Sequence, residues 1–228
     1  MITGATGNLG SATAHAFAAQ GARLALVDHQ PHKVDALRAL LPEKAVTQGF
    51  TADLTDAPSV NAMVEQVIQT FGSVDALTNI AGGFTMGPAI QDTGDRDWDF
   101  MMDLNARSVF HTTRAVLPHM VRRRSGRIVN VSARAALQGK GNMGPYCASK
   151  AAVITLTETL AAENRDTNIN VNCILPGTID TPQNREAMPN ADHDAWVPPA
   201  ALADVVLFLC SDAARCVSGA AIPVFGRS

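Results

Sequence analysis

Tyr146 and Lys150 stand four residues apart in Tyr146-Cys147-Ala148-Ser149-Lys150, at the start of a strongly helical segment, so their side chains share one face. A phenol with an ordinary pKa of about 10 moves protons near neutral pH only when positive charge stands beside it. An ammonium one helical turn away supplies that charge. Tyr146 is the only tyrosine of the chain and Lys150 one of four lysines, so chance offers few such pairings. Taken alone the pair is an i,i+4 surface pair; beside a cofactor site it is a phenol with a cation close enough to modulate it.

A second constellation lies at the start of the chain. In Thr3-Gly4-Ala5-Thr6-Gly7-Asn8-Leu9-Gly10, three glycines fall between the end of a strand and a helical pattern. Main-chain N–H groups can meet a pyrophosphate there, at a helix N-terminus. Gly4, Thr6, Gly7, Asn8, Leu9 and Gly10 are therefore candidate cofactor contacts. Eighteen residues after Gly10, Asp28 closes the run Leu24-Ala25-Leu26-Val27-Asp28, where a carboxylate accepts hydrogen bonds from an adenosine ribose and repels a 2′-phosphate. This predicts NAD(H), not NADP(H). Asp53-Leu54 and Asn79-Ile80-Ala81-Gly82 end the next two strands, so Asp53, Leu54, Asn79, Ala81 and Gly82 converge on the same crevice.

Residues so far apart meet only if regular elements bring them together. Strands are expected at Arg23–Val27, Ala45–Phe50, Val74–Ile80, Arg127–Ser132, Ile169–Leu175 and Ala220–Phe225. Helices are expected at Asn8–Gln20, Pro31–Leu41, Ala57–Phe71, Arg96–Arg122, Tyr146–Glu163 and Ala200–Ser211. Alternation of this kind predicts an α/β, doubly wound parallel sheet with helices on both faces, a single-domain Rossmann arrangement over residues 1–228. One stretch breaks the rhythm: residues 176–200 hold five prolines and Trp196 where a short connection is the norm, and read as a substrate lid. Met1-Ile2 gives only two residues before Thr3-Gly4, where a central strand needs about five. We expect the sequence to begin at an internal start.

With 228 residues and 46% apolar content, the chain fills one core. Seventeen per cent charged residues and a formal charge of -3 provide no broad basic surface, which argues against nucleic acid. Cys147, Cys173, Cys210 and Cys216 lack paired spacing, the six histidines form no ligand pairs, and no long apolar run occurs. A reduced, cytoplasmic protein without metal or membrane contact is expected.

Taken together, the glycine turn, Asp28, Asn79–Gly82, Tyr146/Lys150 and Pro176-Gly177-Thr178-Ile179-Asp180-Thr181 resemble the short-chain dehydrogenase/reductase family across essentially the whole chain. The resemblance implies hydride transfer to or from a small-molecule substrate with a C=O or conjugated C=N group. Tyr146 would be the general acid/base, Lys150 would hold the nicotinamide ribose and Asn105 would support a proton-relay water. Thr181 would hold the carboxamide, with Pro176, Gly177 and Ile179 alongside, and a homodimer or homotetramer would pack through the helices after Arg96 and Tyr146. Two departures stand out. Asn8 occupies the place of the middle glycine, and Ala133 falls where the catalytic serine stands, thirteen residues before the tyrosine. Ser132 is the neighbouring candidate for that role, although adjacent strand residues face opposite ways. Ala133-Arg134-Ala135-Ala136-Leu137, Ala81-Gly82-Gly83-Phe84 and the lid, from Asp180-Thr181-Pro182-Gln183-Asn184-Arg185 to Trp196, are similar to the dihydropteridine reductase branch. A nucleotide-sensing protein that has lost catalysis is a second reading, disfavoured by Tyr146, Lys150 and Asn105. An extended-branch epimerase or dehydratase is a third, disfavoured by the short segment after Thr181.

Overall fold

The computed structural model describes residues 1–227; Ser228 lies outside the described residues. Seven parallel strands form one sheet in the order β3-β2-β1-β4-β5-β6-β7. They are β1 (Ile2–Thr3), β2 (Leu24–Asp28), β3 (Thr47–Thr51), β4 (Ala76–Asn79), β5 (Gly126–Val131), β6 (Ile169–Pro176) and β7 (Ala221–Val224). The strand order reverses between β1 and β4, where Ile2 stands opposite both Leu26 and Thr78. The carboxyl ends at that reversal open the crevice in which doubly wound folds bind ligands. β2 and β6 are buried along their whole length, as strands covered on both faces must be.

Six helices cover the two faces of the sheet. On one face α3 (Ala57–Phe71), α5 (Ser108–Arg123) and α6 (Gly144–Glu163) bury Val64, Val116, Met120 and Ala161 against the strands. On the other, α1 (Asn8–Ala19), α2 (Pro31–Leu40) and α8 (Pro199–Leu209) bury Ala14, Val34, Leu202 and Val206. Local signals set the ends. Asp56 caps α3 by accepting from the Ser59 amide, Pro58 fits its first turn, and Gly72 closes it in the left-handed region at φ 82°.

Six strands and five helices fall within a few residues of where the sequence puts them. The expected helix Arg96–Arg122 is instead three pieces. α4 (Asp95–Met102) runs into a five-residue π turn, Asp103–Arg107, before α5 begins. Periodicity cannot see one inserted residue of winding, and such turns cluster at functional sites. The segment 176–200 is also more ordered than a loop. It carries α7 (Pro182–Ala187), capped when the Thr181 hydroxyl accepts from the Asn184 amide, and a short turn at His193–Ala195. Among the described residues, no helix is long and apolar enough to cross a membrane.

Side-chain amides join sheet to helices in the interior. Asn79 on β4 donates to Asn130 on β5 (2.9 Å), which donates to the Thr157 hydroxyl on α6 (2.9 Å), while Thr112 on α5 donates back to Asn79 (2.7 Å). Asn130 and Thr157 are fully buried, so each bond left unmade strands a polar group away from water. Asn130→Ala should therefore cost about 2–3 kcal/mol, read as a lower urea midpoint at unchanged m-value. A loss below about 0.5 kcal/mol would mean that this chain of amides does not hold α6 to the sheet.

Candidate active site

The glycine turn is built by close approach. Gly4 sits at φ 62°, and a Cβ there would lie 2.7 Å from the Ala81 main chain; at Gly10 it would lie 2.1 Å from the Gly4 carbonyl oxygen. Only glycine lets the turn fold this tightly against α1. The Leu9 side chain is buried under α8, so only its main chain is available to a ligand. Thr6 turns toward β2. Its hydroxyl (2.7 Å) and amide (3.2 Å) both donate to Asp28, whose other oxygen accepts from the His29 amide (2.8 Å). Burial alone would raise the Asp28 pKa, but these donors outweigh it and hold the carboxyl below its ordinary value. A fixed negative charge thus stands at the end of β2. Asp53 at the end of β3 is held ionised in the same way by the Thr55 hydroxyl and amide, and the Leu54 carbonyl lies 3.2 Å from the His111 ring.

The Asn79 side chain turns into the interior. Its amide is spent on Thr112, Thr113 and Asn130, so it braces the sheet where the sequence suggested a cofactor contact. Its neighbours Ala81 and Gly82 do line the turn, anchored as the Ile80 and Ala81 amides donate to the Thr3 hydroxyl.

The helix α6 brings the titratable pair in. Lys150 is buried, and its ammonium donates to the Val131 carbonyl at the end of β5 (3.0 Å). Burial pulls its pKa down to about 8. A Cβ on Gly82 would lie 3.1 Å from this ammonium, so the Ala81–Gly83 strand end passes directly over it. Tyr146 is half-buried, and burial, with a smaller contribution from Cys147, pushes its phenol up to about 12. The lowering expected from Lys150 is not seen in the protein by itself.

Asn105 lies in the π turn, fully buried, and both ends of its carboxamide are hydrogen-bonded. It accepts from the Gly83 amide (2.9 Å), donates to the Gly83 carbonyl (3.1 Å), and donates to the Ser149 hydroxyl (3.1 Å). Ser149 in turn donates to the Tyr146 carbonyl (2.8 Å). Asn105 therefore positions Gly83 and α6. Neither Gly83 nor Ser149 figured among the sequence candidates. The pair of adjacent glycines, and a serine inside a helix one turn from Tyr146, were the available signals.

Ala133 packs with Ala135, Cys147 and Met143 against Tyr146, so a methyl group occupies the position beside the phenol. Ser132 does not take over. It faces α6, buried, with its hydroxyl donating to the Lys150 carbonyl (2.7 Å), and so fastens strand to helix. The lid begins where Gly177 donates to Val224 and Ile179 bridges Val197, which puts Pro176, Gly177, Ile179 and Thr181 along one edge of the crevice. Asn8 spans to the lid helix: its amide donates to the Gln183 carbonyl oxygen (3.1 Å). Two cavities of about 500 and 360 Å³ open at the amino edge of the sheet, away from all these groups.

Fold and site together define a Rossmann-type nucleotide-binding oxidoreductase. The chain belongs to the short chain dehydrogenase family, whose model matches residues 1–192. It is 35% identical to the 3-oxoacyl-(acyl-carrier-protein) reductase FabG of Thermotoga maritima, over 99% of this chain and 95% of that protein. Among solved structures, NAD+-bound xylitol dehydrogenase matches with a TM-score of 0.90 at 29% identity, covering 99% of this chain and 96% of that one. A variant of actinorhodin polyketide ketoreductase with NADPH matches at 0.91 and 30%, covering 99% and 94%. The family acts on hydroxyl and keto substrates with NAD or NADP, and the Thr3–Gly10 turn together with the Lys150 ammonium fits such a group.

A cation whose pKa is lowered on folding is stabler charged in the unfolded chain, so its burial costs stability at low pH and the cost disappears as it deprotonates. Between about pH 8 and its ordinary 10.5, the unfolded state holds the Lys150 proton that the folded state has released. Urea unfolding of the ligand-free protein from pH 7.5 to 9.5 should show stability rising relative to Lys150→Met. Parallel pH profiles for the two proteins would contradict the burial of a charged Lys150.

Proposed function

We propose that this protein is an NADH-dependent reductase of a carbonyl or conjugated C=N compound, with Tyr146 as the proton donor. The observation that carries the reading is the protonated, half-buried Tyr146 phenol one helical turn from the buried Lys150 ammonium, under the Gly82–Gly83 strand end. The bound dinucleotide would supply the hydride. A phenol near 12 is a weak acid at neutral pH, so donation to the reduced atom would require the positive charge of Lys150, engaged with the bound dinucleotide, to bring it down. Lys150, with a single acceptor on the protein at Val131, has hydrogens to give to a ribose. Asn105 and Ser149 hold the tyrosine's helix in place. The segment 176–200 would close over the substrate, with Thr181 at its hinge and Pro176, Gly177 and Ile179 lining the nicotinamide end.

The choice of NADH rests on Asp28, whose fixed charge favours a ribose diol and opposes a 2′-phosphate. A quinonoid dihydropteridine reductase-like activity is the specific reading that Ala133 favours. A simple ketone gathers alkoxide charge on one oxygen and loses about 3–4 kcal/mol of barrier lowering when a hydroxyl donor is missing. A conjugated ring spreads that charge. A homodimer or homotetramer would cover Trp98, Phe100 and Phe110, exposed along α4 and α5, and the four free cysteines suit a reducing cytoplasm.

NADH oxidation should be followed with quinonoid dihydropterin, cyclic diones and aliphatic ketones. Tyr146→Phe should lower turnover by about a hundredfold or more while the NADH dissociation constant stays within about twofold; a variant that keeps most of its activity would leave the phenol without the assigned role. Ala133→Ser should raise aliphatic-ketone turnover about tenfold, a fraction of what one oxyanion donor is worth. If it changes nothing, the missing hydroxyl does not set the substrate preference. Titration should give tighter binding of NADH than NADPH, with Asp28→Ser narrowing the gap. Equal constants in the unaltered protein would refute the cofactor assignment.

A further inference from the structure

The reading of the site as a reductase leaves its substrate class open, and the side of the crevice next to Tyr146 bears on it. Phe84 and Tyr146 meet edge to face, with ring centroids 4.9 Å apart and planes at 82°, yet 53% of Phe84 remains exposed. An aromatic ring on a loop is ordinarily free to fold away from water. This one is held where it is. Gly83 is pinned by two hydrogen bonds to the Asn105 carboxamide. Further along, the Gly87 amide donates to the Asn142 carbonyl (2.9 Å), tying this loop to the segment that leads into α6.

The surroundings of Tyr146 are apolar on the other side as well. Ala133 and Ala135 pack against it, and the turn they begin ends in Leu137, 57% exposed; Met86, two residues beyond Phe84, is 67% exposed. A polyol or sugar needs a donor or acceptor for each hydroxyl it brings out of water. Phe84, Ala133, Ala135 and Met143, which gather around Tyr146, offer none from their side chains. Exposed apolar groups beside the reacting phenol are instead covered by an apolar occupant, and a fixed aromatic ring selects a flat one by stacking. We propose that Phe84 is a specificity-determining residue that receives the face of a planar, conjugated cyclic substrate and sets it against the Tyr146 hydroxyl.

The test uses 9,10-phenanthrenequinone as a flat probe, by equilibrium dialysis against protein saturated with NAD+, which has no hydride to transfer. Phe84→Leu keeps an apolar side chain but removes the flat face, and should weaken binding of the quinone about five- to tenfold, the worth of one aromatic contact. Phe84→Tyr keeps the face and should bind as the unaltered protein does. The NAD+ dissociation constant should stay within about twofold in both variants, which marks an intact fold. In turnover with NADH, Phe84→Leu should raise KM for the quinone and leave KM for ethyl acetoacetate, an open-chain ketone, unchanged. Three results would overturn the proposal: undiminished quinone binding in Phe84→Leu, an equal loss in Phe84→Tyr, or no saturable binding to the unaltered protein below millimolar concentration. Binding that depends on Phe84 without any turnover would remove the reductase reading and leave the aromatic wall standing. Turnover that ignores Phe84 would do the reverse.

Discussion

The Asn105 carboxamide is the constraint on which the rest of the site depends. Its oxygen accepts from the Gly83 amide and its nitrogen donates to the Gly83 carbonyl and the Ser149 hydroxyl, all in the buried interior. A carboxamide can complete such a set only if it enters at the correct height along the helix. The π turn at Asp103–Arg107 supplies that offset, because one extra residue of winding moves Asn105 relative to the regular helices on either side. Winding defects are unfavourable in isolation. Here the defect is held in place by bonds that a straight helix would leave unmade, which is the usual reason strain persists near a site.

From that point order spreads in two directions. Through Gly83 it fixes the strand end that crosses Lys150 and the ring of Phe84; through Ser149 it fixes the Tyr146 main chain. The amides of Asn79 and Asn130 do the same work one layer deeper, joining β4, β5, α5 and α6. Removing a single member strands its partners, so these polar groups define one arrangement of the interior where apolar packing alone tolerates several. Ser132 belongs to this scaffold. Its hydroxyl binds α6 to β5.

The sheet was legible because its signals are local: buried runs such as Leu24–Asp28, a capped helix such as Ala57–Phe71, and glycines where the chain doubles back on itself. Tyr146 and Lys150 could be placed on one face because the helix period fixes it, whereas Ala133 was set beside the tyrosine by the family resemblance. What stayed hidden depends on contacts across the fold. Nothing in the run Arg96–Arg122 announces a π turn, since its cause is a bond to Gly83, over twenty residues away. Asn79 ends a strand at the crevice, but whether its amide points in or out is decided by Thr112 and Asn130. The order within 176–200 likewise comes from Thr181 and Asn184 capping α7, a signal easily masked by the surrounding prolines.

Lys150 carries a thermodynamic consequence beyond its place in the site. Near pH 8 the buried amine is divided between charged and neutral forms, with one acceptor on the protein. Any occupant that accepts hydrogen bonds from it favours the charged form and draws a proton from solution. Association at this site is then a three-body equilibrium of protein, ligand and proton. Its calorimetric heat contains the ionisation enthalpy of whichever buffer gives that proton up, so the same complex measured in phosphate and in Tris would release different heats at identical affinity.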